Sequence, residues 1–224
     1  MKLVDFLIRI IKKNKKLNII LSGGNSPLQY YKDFSKKKID FKNLNFFLLD
    51  DRIVRNDSKY SNYNNIKKSF KKNKIIYDKI LPLNKKNCRG KQLKKNIFLL
   101  KKYKVFSILG MGPDGHFASI FAGSKKFREQ IDIKKKPNYF FSEKLGNPRL
   151  KRVSMNLSMI LLSDYILLIL NTKNKIKLFE KILKFKNTSS YSIFYLIKHA
   201  KKKILIYDGK KFLKIKGIST IVNS

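Results

Sequence analysis

The sequence predicts an α/β fold, a mainly parallel sheet covered by helices on both faces. Apolar runs of strand length (17–22, 44–49, 104–110, 164–170) alternate with segments of helical period. The runs are almost continuously apolar, as in strands buried on both faces. A polar or glycine-bearing loop follows each run, and in an open α/β sheet ligands bind at the carboxyl ends of strands.

Taken in order, residues 2–15 place Leu3, Leu7, Ile10 and Ile11 on one face, interrupted by Asp5 and Arg9. That pattern suits an amphipathic helix and not a secretory signal. Residues 17–22 are the first strand. Gly23-Gly24-Asn25-Ser26-Pro27 is a loop opening a helix, with Ser26 expected as N-cap and Pro27 in the first turn. Residues 44–49 form the second strand, ending in the loop Asp50-Asp51-Arg52. A helix is expected over 62–71, a short strand over 75–81 and a lysine-rich helix over 85–102. Residues 104–110 are a strand that enters a tight loop. Phe117, Ile120 and Phe121 then recur at helical spacing and predict a helix. Residues 124–150, with Pro137 and Pro148, read as loop with short elements. Residues 151–158 alternate as a strand does. Residues 164–170 are a strand, 174–185 a helix and 203–207 a late strand. There is no internal repeat and no linker, so one domain over 1–224 is expected.

The chain has 224 residues, enough to bury a real core. Cys88 is the sole cysteine, which excludes an internal disulfide and a cysteine-based zinc site and suits a reducing compartment. No apolar run approaches the length of a membrane span. The formal net charge of +39 suggests a nucleic-acid binder. However, the lysines are spread over every polar segment, arginine is scarce, and no nucleic-acid-binding motif accompanies them. Lysine, asparagine, isoleucine, phenylalanine and tyrosine are abundant together, which points to a bias toward A/T-rich codons.

The chemistry concentrates in residues 110–123. Gly110, Gly112 and Gly115 permit positive φ or close approach by another group. Asp114 and His116 form the one plausible acid–base pair; His199, the other histidine, lies in a lysine-rich segment. Ser22-Gly23-Gly24-Asn25-Ser26 offers backbone N–H groups and a helix N-terminus to an anion such as phosphate. It matches neither a P-loop nor a dinucleotide fingerprint. Arg52, Arg152 and Lys175 follow or flank strands and can add charge there. No nucleophile is evident, since Ser119 lacks an elbow motif and Cys88 lies away from the predicted rim. Water with His116 as general base is the expected chemistry. Asp114 or Asp50 would orient the imidazole or hold substrate, and Asp114 has capping of the following helix as its alternative. A metal site is not expected, because a single histidine makes a poor one.

These motifs resemble those of the 6-phosphogluconolactonases, relatives of the glucosamine-6-phosphate deaminases, over about residues 17–185. Leu21-Ser22-Gly23-Gly24-Asn25-Ser26-Pro27 is similar to L-S-G-G-S-T-P. Asp50-Asp51-Arg52-x-Val54 with Ser61-Asn62 is similar to D-E-R-x-V and S-N. Gly110 to Gly123 resembles G-M-G-x-D-G-H-x-A-S-L-F-P-G, the most specific match. Arg152-Val153-Ser154-Met155 resembles R-[IV]-T-[LM], and Lys175 falls on a family lysine. Asp51 stands where the family has glutamate, and Ala122 where it has proline.

The resemblance implies a Rossmann-like three-layer sandwich and hydrolysis of 6-phosphoglucono-1,5-lactone in the pentose phosphate pathway. It implies no organic cofactor, with His116 as base. Arg52, Arg152, Lys175 and the glycine loop would contact phosphate or substrate. The expected partner is a small sugar-phosphate lactone, without specific nucleic acid or membrane, for a cytoplasmic monomer or weak homo-oligomer. A glucosamine-6-phosphate deaminase/isomerase is the alternative, and a basic nucleic-acid-binding protein the alternative of another class.

Deaminases read D-E-Y and D-G-H-I-A-F-N-E where this chain has Asp50-Asp51-Arg52 and Asp114-Gly115-His116-Phe117-Ala118-Ser119-Ile120-Phe121. No glutamate follows the loop until Glu129. The purified protein should therefore accelerate lactone decay and release no ammonia from glucosamine-6-phosphate. Sustained ammonia release that is lost in His116→Ala, without lactone acceleration, would refute that.

Overall fold

The computed structural model describes residues 2–184, 189–200, 203–215 and 218. Helix α1 (Leu3–Lys12) buries Leu3, Val4, Phe6, Leu7, Ile10 and Ile11 along one face. It leads to β1 (Leu17–Leu21), α2 (Asn25–Ser35), β2 (Leu44–Leu48) and β3 (Asp50–Arg52). Three helices follow, α3 (Asn62–Ser69), α4 (Lys74–Lys79) and α5 (Gly90–Lys102), then β4 (Lys104–Gly110). The middle of the chain holds α6 (Phe127–Ile131), β5 (Tyr139–Phe141), β6 (Arg152–Met155), α7 (Leu157–Ile160) and β7 (Tyr165–Ile169). The chain continues with α8 (Lys173–Lys184), α9 (Ser192–Ala200), β8 (Ile204–Tyr207) and β9 (Phe212–Leu213).

The main sheet runs β2-β1-β4-β7-β8-β9, parallel as far as β8, with β9 antiparallel. Successive side chains of a strand point to opposite faces, so the sheet divides the core in two. Ile20, Val105, Leu109, Ile166, Leu168 and Ile206 pack with Leu100, Phe179, Ile182, Ile193 and Leu196 of α5, α8 and α9. Ile19, Leu21, Phe106, Ile108, Leu167 and Ile169 pack with the apolar faces of α1, α2 and α3. The result is helix layer, sheet, helix layer, the expected three-layer architecture. Each large side chain buried this way contributes about 1.5–3 kcal/mol. One polar side chain interrupts the pattern in β1. Asn18 donates to the carbonyls of Leu99 (2.7 Å) and Tyr103 (3.2 Å) and accepts from Asn45 (2.9 Å), tying the end of α5 to the sheet.

Strand β1 lies between β2 and β4, so the chain leaves it toward one side and later returns on the other. This is a topological switch point, where a crevice opens beyond the strands' carboxyl ends. Beside it stands a small antiparallel sheet, β3-β6-β5, with Arg52 opposite Arg152. Among the described residues no helix is long and apolar enough to cross a membrane.

Several expectations are corrected. Residues 75–81 are not a strand: Asn73 Oδ1 accepts from the Ile76 amide at 3.2 Å and starts α4. Asp50-Asp51-Arg52 is not a loop, because β6 lies alongside and pairs with it. No helix follows the Gly110–His116 loop. Ala118 adopts φ 51°, which a helix cannot accommodate, and isolated bridges join Met111 to Phe117 and Phe117 to Ile120. Asp114 therefore caps no helix there. Gly24, and not Ser26, is the N-cap of α2, and it makes no side-chain cap bond. The strand expected over 151–158 stops at Met155, because Asn156 caps α7. The lysine-rich helix expected over 85–102 starts at Gly90. Helix α9 and strand β9 were not anticipated, while α6 and β5 are the short elements within 124–150. Residue 185, the expected end of α8, lies outside the described residues.

Gly23 marks the closest approach between layers. A Cβ there would stand 2.3 Å from Asn62 Cβ at the start of α3. Gly23→Ala should destabilise the fold by about 1–3 kcal/mol, the usual cost of overpacking. Denaturant unfolding checks this, and unchanged stability would show that α3 can withdraw freely.

Candidate active site

The loops after β1, β4 and β7 and the small sheet enclose one cavity of about 330 Å³. Ser22, Gly24, Asn25, Ser26, Asp50, Arg52, His116, Arg152 and Lys175 all line it. Gly23 and Asp114 do not: Gly23 is turned against Asn62, and Asp114 stands behind His116. Asn62 and Asn147 line the cavity without having been anticipated.

The first wall is the β1–α2 turn. Tyr31 of α2 donates to the Ser22 carbonyl (3.0 Å), and the Ser22 amide donates to the same hydroxyl (3.2 Å). The Ser22 hydroxyl is buried with no partner among the described residues. Ser26 donates to Asn171 Oδ1 at 3.0 Å, joining the start of α2 to the end of β7. A Cβ on Gly24 would meet nothing within 4 Å. Glycine there leaves open space above a helix N-terminus, where backbone N–H groups favour an anion.

The second wall is β3 and α3. Asp51, 4% exposed, faces away from the cavity. Its carboxylate accepts from the amides of Asn62 (2.5 Å), Tyr63 (3.0 Å) and Arg52 (2.7 Å) and from the Ser61 hydroxyl (3.1 Å). Burial pushes its pKa up, opposed by those backbone hydrogen bonds. Asp51 thus holds the first turn of α3 onto β3. Asn62 then donates to the Asp50 carbonyl (2.9 Å) and Oδ1 (3.3 Å) and accepts from Arg52 Nη1 (2.8 Å). Ser119 donates to Asp50 Oδ2 at 2.5 Å. Arg52 Nε is buried without a partner among the described residues.

The third wall carries Arg152 and Lys175. Arg152 is 4% exposed. It donates from Nε to the Leu145 carbonyl (3.1 Å) and from Nη2 to the Pro148 carbonyl (3.0 Å). Burial lowers its pKa, and the like charge of Arg52 adds to this, while Asp50 and Asp51 oppose it. Burial also lowers the pKa of Lys175, in the first turn of α8. Both are partly desolvated cations, so an anion beside them is favoured. Sequence reading passed over Gly146 and Asn147 of the loop that holds Arg152. The Gly-Asn-Pro turn signal at 146–148 was the clue available.

His116 stands on the rim, its side chain 26% exposed. Its Nδ1 lies 2.5 Å from Asp114 Oδ1. Burial raises the pKa of Asp114, but the bond and charge of His116 outweigh it and hold the carboxyl below its usual value. An ionised Asp114 accepts a hydrogen bond from Nδ1–H, which leaves the lone pair on Nε2. The loop is built for this approach. A Cβ on Gly112 would stand 2.2 Å from His116 Nδ1, and Gly115 adopts φ +73°. Gly110 has neither constraint. Helix α9 secures the loop, its Ile193 amide donating to the Gly115 carbonyl at 3.1 Å. His199 is on α9, outside the cavity, and Cys88 is buried with its thiol pushed up to about 12 by desolvation. Among the described residues no group of three His, Cys, Asp or Glu could hold a metal ion.

A cationic cavity at a topological switch point, with an imidazole on its rim, is the arrangement of an α/β enzyme for an anionic substrate. Residues 2–206 match the model of the glucosamine-6-phosphate isomerases/6-phosphogluconolactonase family. The 6-phosphogluconolactonase of Thermotoga maritima is 30% identical over 92% of this chain and 94% of its own. That of Neisseria meningitidis is 29% identical over 81% of this chain and 80% of its own. The solved T. maritima 6-phosphogluconolactonase superposes with a TM-score of 0.68 at 27% identity, covering 91% of this chain and 93% of the other. The chain belongs to this family and within it stands with the 6-phosphogluconolactonases.

Proposed function

We propose that this protein hydrolyses 6-phospho-D-glucono-1,5-lactone to 6-phospho-D-gluconate, a step of the pentose phosphate pathway, with water activated by His116. One observation carries the reading: His116 shares a cavity with Arg52, Arg152, Lys175 and the N-terminus of α2. The cations and the helix end supply the attraction for a phosphate, and the imidazole supplies the base.

The reaction follows from this geometry. Nε2 of His116 takes a proton from water as the oxygen attacks the lactone carbonyl carbon. The carbonyl oxygen becomes an oxyanion, which the buried cations and free N–H groups of the cavity stabilise. The ring C–O bond then breaks as the carbonyl re-forms, and the departing ring oxygen takes the proton back from His116. The product is an open-chain acid, ionised at neutral pH. Asp114 keeps the tautomer and stabilises the imidazolium. Asp50, held by Ser119 and Asn62, is a fixed negative charge among the cations and orients substrate hydroxyls.

The deaminase reading lacks this support. It needs further acids for ring opening and enolisation, yet Glu129 lies on α6 and does not line the cavity.

His116→Ala should lower turnover by about 10²–10⁴-fold with the fold intact, the usual size of a general-base contribution. Lactone decay measured against the spontaneous reaction decides this, and near-normal turnover in a folded variant would sink the mechanism. Arg152→Ala should cost about 1.5–3 kcal/mol in recognition of the phosphorylated lactone, the range for a charged hydrogen bond. Unphosphorylated gluconolactone should be much less affected. Equal losses on both substrates would make Arg152 purely structural.

A further inference from the structure

Phe121 is in contact with both ends of the proposed reaction. The His116 imidazole packs on its ring with centroids 4.3 Å apart and planes 30° from parallel. The Arg152 guanidinium carbon stands 5.4 Å from the centroid of the same ring. Phe121 is 6% exposed and does not line the cavity, so it lies behind the wall and does not reach substrate.

Its place is tightly determined. The carbonyl of Phe121 accepts from the Ser124 amide at 3.0 Å, closing a turn. From the other side, Gly146 presses on the ring and on the arginine together. A Cβ there would stand 2.8 Å from Phe121 Cζ and 2.7 Å from Arg152 Nη2. Gly146 also has φ +72°, so the loop 145–148 closes over both side chains only with glycine at that position.

We infer that Phe121 is a positioning residue whose ring sets where the His116 imidazole and the Arg152 guanidinium stand relative to each other. The inference rests on the lactonase reading above. Among the described residues the imidazole has one hydrogen-bonded anchor, Nδ1 on Asp114, and a ring held at one atom can pivot about that bond. Packing against Phe121 removes the pivot. The guanidinium is tied at Nε and Nη2 to two loop carbonyls, while Nη1 has no hydrogen-bond partner among the described residues. The aromatic ring beside it attracts the cation and packs against it. One rigid ring therefore links proton transfer to anion recognition. A side chain of equal bulk but no flat face fills the space without holding either group.

The test compares full-length wild type with Phe121→Leu, and with Phe41→Leu as a buried phenylalanine remote from the cavity. Three quantities are read: kcat on the phosphorylated lactone, the ratio of kcat/KM for phosphorylated over unphosphorylated lactone, and the NMR shifts of the His116 ring protons. The chain has only two histidines, so a His199→Gln variant assigns those signals. Phe121→Leu should lower kcat by about 10–100-fold, as a small misplacement of a catalytic group does. The substrate ratio should fall with it, and the His116 protons, shielded by the ring in wild type, should move downfield. Phe41→Leu should change none of the three, whatever it does to stability. Wild-type kcat, ratio and shift in a folded Phe121→Leu overturn the inference, and so does a fall in kcat that Phe41→Leu shares. Should Phe121→Leu fail to fold, Phe121→Met takes its place. Wild-type His116 protons without upfield displacement also overturn the inference. Absence of lactonase activity in wild type counts against the assigned reaction instead, and the NMR comparison still decides the role of Phe121.

Discussion

The constraint on which the site depends is the capture of α3 by β3 through one buried carboxylate. Asp51 is almost fully buried, a costly place for a negative charge. It is tolerated because four donors converge on it, two of them amides at the positive end of α3. That capture places Asn62, and Asn62 in turn places Asp50 and Arg52 and fills the space Gly23 leaves open. Withdrawal of the first turn of α3 would free the acid, the arginine and the β1 turn together. The position where relatives of the resembled family carry glutamate is thus, in this chain, an architectural one behind the cavity wall.

The charge of this protein operates on two scales. The formal +39 is a property of the whole surface and acts at long range. It draws small anions toward the protein and makes association salt-sensitive, but it selects nothing. In the proposed reaction, selection falls to the few cations that the fold desolvates. Arg152 and Lys175 have their pKa values lowered chiefly by burial, and Arg52 keeps a buried Nε without a partner among the described residues. In the proposed function, an anion in the cavity would offset the desolvation of these groups.

The tight loop after β4 is held from several directions. Glycine at 112 lets the imidazole approach, the positive φ of Gly115 turns the chain, and the Ile193 amide of α9 fastens the turn. Ser119, just beyond the imidazole, reaches across to Asp50. A helix after the loop would have stacked Phe117, Ile120 and Phe121 on one face. The turn instead sends Phe117 and Ile120 into the core and leaves Phe121 under His116.

The sequence by itself determined the parallel sheet, most strand positions and the loops that carry chemistry. Almost continuously apolar runs such as 104–110 and 164–170 suit strands inside a covered sheet, and the ends of parallel strands gather on one edge. Scarce arginines and a lone histidine beside a glycine loop were legible for the same reason: each is an exception to its local composition. Tertiary structure alone decided what depends on a distant partner. Asp50-Asp51-Arg52 became a strand because β6 lies alongside it. The spacing of Phe117, Ile120 and Phe121 is compatible with helix or turn, and the backbone at Ala118 and the core around it chose the turn. Residues 75–81 carry apolar side chains suited to either element, and a cap from Asn73 settled a helix. The roles of Asp51, Asn62 and Phe121 were invisible locally, because each acts through side chains from elsewhere in the chain, and only the folded arrangement brings those together.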